Sequence, residues 1–323
     1  MGKDRNNVID LLKVICMLYI VCFWHLSNYG HVINIHYPYL METTGAMLGA
    51  FMFYGAYFFS KYSMRSLSDV MSFYKKRFIR VYVLYVISLV LLYVGGGLLH
   101  KPWFDSDAQF ALALFGLSSF HVPNVTTLWF MSMLIFFYML TPLVLYWDSI
   151  KKRIIAASII ELFLLVLYLL EPDTIDVRLP HFSFFYLVGL VIPHSEWEKL
   201  SLSVLWGSVG LLLFIVTPFL NLSPLTKGDV IGCSGGILFL TNLCYRADKP
   251  VLEGGAKGLS FFMISAYLFH RHIYQIVKVV LDKMDVEVTI WILYFVFVPT
   301  CLLFSYLIQL LYDTAVAKFF SKS

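Results

Sequence analysis

Apolar residues gather in ten stretches along the chain, at roughly 8–26, 43–60, 81–99, 128–147, 153–170, 181–193, 201–220, 228–245, 258–281 and 288–312. A bilayer crossing takes about 20 mostly apolar residues in a helix. The pattern therefore predicts an all-α polytopic integral membrane protein of about ten transmembrane helices, the sixth being the shortest. An eleventh apolar stretch, 108–120, is too short to span and closely follows Asp105 and Asp107, so it reads as a re-entrant or interfacial helix. The longest polar intervals, 61–80 and 100–127, are too short for an independent core. One membrane domain over 1–323, with no appended soluble domain, is the expected organisation.

Composition agrees with the pattern, at 60% hydrophobic, 18% aromatic and only 14% charged residues. The first segment has no small-residue cleavage site after it and runs on into SNYGHVINIHYPYLME, so it is expected to remain as a helix. Placing the N-terminus in the cytoplasm puts seventeen of the 24 Lys and Arg on the inner side and four on the outer. That bias alternates loop by loop and predicts an even number of crossings with both termini cytoplasmic. The net charge of +4 then reflects membrane topology, and no nucleic-acid partner is implied. Cys16, Cys22, Cys233, Cys244 and Cys301 all lie in apolar segments without CxxC spacing, which argues for packing and against a metal site. Pro224, Gly228, Gly232, Gly235 and Gly236 make the eighth segment rich in breakers or small residues, a composition that suits close helix packing.

Ionisable groups inside spanning helices are costly and mark candidate function. In the first segment Asp10 and Lys13 share a helical face, and His25 lies twelve positions beyond Lys13. Either these groups form part of a site, or Asp10 and Lys13 snorkel to the interface and His25 bonds a loop carbonyl. In FYKKRFIRVYVLYV, residues 73–86, Arg77 and Arg80 share a face where the chain enters its third span from the cytoplasm. Arginine forks bind phosphate bidentately, so the pair suits an anionic cytosolic ligand; a purely topogenic role is the alternative. Trp129 and Phe130 open the segment at 127–146 and are also explained as an interfacial aromatic belt. In SAYLFHRHIY, residues 265–274, the neighbours His270, Arg271 and His272 cannot all face lipid, which points to a polar cavity; pairing of Arg271 with an acid such as Glu161 is the structural alternative.

Taken in order, the IDLLK helix that ends in a histidine, FYKKRFIRVY, LWF, RLPHFSFFYLVGL and SAYLFH resemble the membrane-bound acyltransferase family 3 over nearly the whole chain. The resemblance implies transfer of an acyl group, usually acetyl, from cytosolic acetyl-CoA to a hydroxyl of a cell-surface or lipid-linked glycan. The implied setting is a multi-pass protein of the bacterial cytoplasmic (inner) membrane, with the bilayer, acyl-CoA and a glycan acceptor as partners and no metal. It implies roles for Lys13 and His25 in the first helix, for the RxxR pair Arg77 and Arg80, for Arg178, and for His270. His25 and His270 are then the catalytic candidates, Lys13, Arg77 and Arg80 would hold the donor, and Asp10, Trp129, Arg178 and Arg271 would position substrate or stabilise the oxyanion.

Three features differ from the family pattern. Members commonly have ten residues between the basic residue and the histidine of the first helix, whereas eleven separate Lys13 from His25. In an unbroken α-helix the usual spacing leaves the two about 20° apart and this one about 120°, so a π-bulge or a different pairing is expected. Val83 replaces a proline that often follows the arginine pair, and Leu134 and Ile135 stand where many members carry acids after LWF, which removes a carboxylate base from that helix. Two other readings stay open: a transporter or flippase built on the His270, Arg271 and His272 cluster, and a catalytically silent member of the family.

Overall fold

A computed structural model describes residues 7–29, 38–98, 103–122, 127–220, 229–246 and 258–320. Every regular element among them is helical, and each of the ten apolar stretches contains a helix. Pro224 and Gly228 lie outside the described residues. Among the described residues three helices are long and apolar enough to cross a bilayer, Leu67–Gly97, Ile150–Leu170 and Ile290–Lys318, and a fourth crossing forms if the bent pair His194–Leu202 and Val204–Phe219 counts as one.

The chain divides into two compact units. The first comprises Met1–Ala50 and Glu198–Ser323. It contains α1 (Asn7–Tyr19), which runs into a π-turn at Ile20–Trp24, and the opening of α2 (Pro38–Tyr57). It also holds α10 (Val204–Val216), α11 (Asp229–Arg246), α12 (Met263–Lys283) and α13 (Val298–Phe320). The second unit, Phe51–Trp197, contains α3 (Leu67–Arg77), α4 (Val83–Leu98), α5 (Asp107–Leu114), α6 (Trp129–Leu145), α7 (Ile150–Leu170) and α8 (Arg178–Val191). A further helix, α9, spans His194–Leu202.

Lipid is as apolar as a leucine side chain, so helices in a membrane associate through close packing and hydrogen bonds. The first unit shows both. Gly210 of α10 and Gly235 of α11 bring the two backbones together: a Cβ at Gly235 would lie 2.6 Å from the Gly210 carbonyl oxygen. At the break before α10, Asn242 Nδ2 donates to the carbonyls of Ser201 (2.7 Å) and Ser203 (3.0 Å), the second of which also accepts from the Gly207 amide at 3.0 Å. Gly232 packs against the buried Glu42 of α2 so closely that an added Cβ would collide with the carboxylate. The glycines of the eighth segment that the structure describes therefore serve close packing.

In the second unit the polar interval 61–80 departs from a loop. A capping box opens α3: Ser66 Oγ accepts from the Asp69 amide at 3.1 Å, and Asp69 Oδ2 accepts from the Ser66 amide at 3.1 Å. The helix then continues through a π-turn at Phe78–Tyr82 into α4, giving the 31 residues of Leu67–Gly97. In the stretch 108–120, α5 has only 8 residues, well short of a span. Its end is held by Tyr85 of α4 and Tyr82 of the π-turn, whose hydroxyls donate to the carbonyls of Ala113 (2.7 Å) and Leu114 (2.8 Å). Gly116, with φ +75, makes the turn that follows.

Arg153 ties together two turns of the same unit. Its guanidinium donates to three carbonyls, those of Trp147 (2.6 Å), Ser60 (2.5 Å) and Tyr62 (2.9 Å). Sequence reasoning counted Arg153 only as a topological charge, whereas the structure makes it a clamp on turn carbonyls that lie outside the helices.

Candidate functional site

The first cluster is built on α1 and α12 within the first unit. An α-helical amide bonds the carbonyl four residues back. The His25 amide reaches five back instead, to Ile20 at 2.9 Å, closing the π-turn of Ile20–Trp24. That turn lies between Lys13 and His25, where the eleven-residue spacing calls for it. It absorbs one residue and brings the register back toward the about 20° offset of the shorter spacing.

His25 then stacks on His270. The two imidazoles are 4.7 Å apart at their centroids and within 3° of parallel, and both side chains are buried. His270 Nδ1 lies 2.6 Å from the Tyr267 carbonyl, an atom that can only accept, so this nitrogen carries a hydrogen. In the neutral ring the lone pair is therefore on Nε2, and among the described residues Nε2 has no hydrogen-bond partner; neither has His25 Nδ1. A buried acceptor left in this way is the arrangement a general base requires.

Tyrosines wall the pair. Tyr267, His270 and Tyr274 share one face of α12, with ring centroids 5.9 Å and 5.8 Å apart. Tyr29 packs edge-on against Tyr274 at 5.5 Å, and Tyr267 lies 6.3 Å from His25. Arg271 is close enough to act electrostatically on His25, Tyr29 and Tyr267. His272 faces elsewhere on α12, against the ring of Phe269 at 5.7 Å. Asp10 is buried in α1, and Lys13 is half-buried one turn further on.

The second unit holds the arginine pair. The guanidinium of Arg77 sits in an aromatic box, 4.6 Å from the Phe59 ring centre, 5.7 Å from Phe73 and 5.9 Å from Tyr138. Arg80 lies in the π-turn and is exposed, as are Lys75 and Lys76. Both arginines are near enough to Tyr138 to act on it electrostatically. One cation is thus boxed by rings while three more beside it in sequence are exposed.

Trp129 and Arg178 also come together in this unit. The Arg178 guanidinium lies over the Trp129 indole at 3.9 Å and forks onto Asp176, with Nε 2.9 Å from Oδ1 and Nη2 2.5 Å from Oδ2. Asp176 is 5% exposed and Arg178 37%, so the buried acid orients a fork whose outer edge reaches the surface. Glu161, considered as a counter-ion for Arg271, accepts from Ser183 Oγ at 2.5 Å. Sequence reasoning missed Asp176, the box around Arg77, and Tyr274; of these only the Asp176-x-Arg178 spacing carried a local signal.

Among the described residues no group of three or more His, Cys, Asp or Glu is placed to hold a metal ion. No curated protein and no solved structure matches the chain. A family model described as an acyltransferase domain matches residues 6–310, a stretch that includes the stacked histidines, the boxed arginine and the Asp176 fork alike. The chain belongs to acyltransferase family 3.

Proposed function

We propose that this membrane acyltransferase moves an acetyl group from cytosolic acetyl-CoA to a hydroxyl of a cell-surface or lipid-linked glycan. The observation that carries the reading is the buried His25 and His270 stack, in which His270 Nε2 has no hydrogen-bond partner among the described residues. In the reaction the acceptor oxygen attacks the thioester carbonyl while its proton passes to a histidine nitrogen. The tetrahedral intermediate then collapses, the C–S bond breaks, and the leaving thiolate of CoA takes that proton. The ester formed on the glycan and free CoA balance the step.

The donor carries phosphates, and the exposed Arg80, Lys75 and Lys76 around the boxed Arg77 supply the matching charge. The Arg178 fork, or Arg271, would stabilise the oxyanion or position the acceptor. The multi-pass arrangement with about ten crossings, cytoplasmic termini and a bacterial inner-membrane setting belongs to the same proposal.

The test is acetyl-CoA binding by calorimetry and acetyl transfer, using purified protein in nanodiscs. Replacing both arginines, Arg77→Ala with Arg80→Ala, is expected to weaken binding about tenfold or more. His25→Ala should bind the donor as wild type does and lose about 10²–10⁴-fold in transfer rate. A wild-type protein without affinity for acetyl-CoA overturns the reading. Loss of glycan export in His270→Ala, with donor chemistry intact elsewhere, would instead support transport.

A further inference from the structure

We infer that Tyr274 is a positioning residue that holds His25 in register with His270 by bonding the one carbonyl that the π-turn strands. This rests on the acyl-transfer reading above and names a residue to which that reading assigns no role. In an unbroken helix the His25 amide would bond Val21. Because it bonds Ile20 instead, the backbone passes over the Val21 carbonyl, and this oxygen accepts from Tyr274 Oη at 3.2 Å. A buried carbonyl without a partner is costly in an apolar setting, so the tyrosine stabilises the turn directly above the residue that the turn aims.

The geometry ties donor and target together. Tyr274 and His270 lie one turn apart on α12, so the helix that presents one imidazole also supplies the hydroxyl that sets the height and rotation of the other. Tyr274 itself is fully buried, its ring held by Tyr29 at 5.5 Å and Phe297 at 5.5 Å. Without the hydroxyl, the His25 amide is expected to return to Val21. The imidazole would then swing by about 100° around the helix axis and leave the stack.

A π-turn behaves as an α-helix with one added residue. Deleting one residue inside it, Cys22, should convert the segment to α-helix, keep His25 in place, and make the tyrosine hydroxyl dispensable. Tyr274→Phe in the full-length chain is expected to lower kcat about 100-fold, with the KM for acetyl-CoA within about twofold of wild type. The Cys22 deletion alone should retain kcat within about threefold, and adding Tyr274→Phe to it should cost no more than about twofold. An equal loss from Tyr274→Phe in both backgrounds overturns the inference, as does no loss in either.

Hydrogen–deuterium exchange of the peptide covering 17–26 reads the same register without any reaction. Tyr274→Phe should speed exchange at the turn about tenfold, and the deletion should restore protection. If the wild type transfers no acetyl group, the acyl-transfer reading fails, and the exchange result still decides the register. If the deletion variant does not fold, exchange in Tyr274→Phe alone decides it, unchanged rates overturning the inference.

Discussion

Arg178 shows what separates a charge from a positioned charge. Its guanidinium is flat, and the structure uses that flatness twice, edge-on to Asp176 and face-on to Trp129. Lysine would keep the charge and lose both contacts. Arg178→Lys is therefore expected to cut acetyl transfer about tenfold while leaving the thermal midpoint within about 2 °C of wild type. A variant that retains wild-type turnover would show that only the charge is used. The residue types at this scale were readable: histidine and arginine inside apolar segments stand out because they are costly there. Their partners were not, since Tyr138, Tyr267 and Tyr274 are among 21 tyrosines in a chain that is 18% aromatic, and nothing in such a sequence marks one ring from another.

At the scale of elements, the sequence located the helices by hydropathy and lost them where charge interrupts it. The interval 61–80 read as a polar connection because Lys75, Lys76, Arg77 and Arg80 crowd it, yet Ser66 and Asp69 supply a complete cap and the helix continues for 31 residues. The spacing of Lys13 and His25 was more informative than hydropathy, because an integer count of residues fixes a rotation and the mismatch required a π-turn or a different pairing. What spacing could not give was the atom that holds the turn, which comes from a residue 253 positions away. The hairpin of α10 and α11 gives a test of packing. Gly235→Ala would push a methyl group against the Gly210 carbonyl and is expected to destabilise the protein by about 1–3 kcal/mol, read as a lowered thermal midpoint in detergent. Gly55→Ala is the control, because among the described residues nothing beyond the backbone of its own helix lies within 4 Å of its added Cβ, and no loss is expected.

For the whole molecule, the distribution of seventeen inner against four outer Lys and Arg makes a prediction that hydropathy alone does not. A fluorescent protein fused after Ser323 should fold and fluoresce, and alkaline phosphatase at the same position should be inactive, because the C-terminus is expected in the cytoplasm. Active phosphatase there would reverse the orientation and with it the side from which the donor arrives. The Arg153 clamp determines where further reporters of this kind belong. Three backbone oxygens from two separate turns converge on one side chain, so the segment around Ser60 and Tyr62, short and polar as it is, is a poor splice point. An epitope or tag inserted there would pull apart the Ser60, Tyr62 and Trp147 carbonyls and report on a damaged protein, and engineering of this chain should leave that turn untouched.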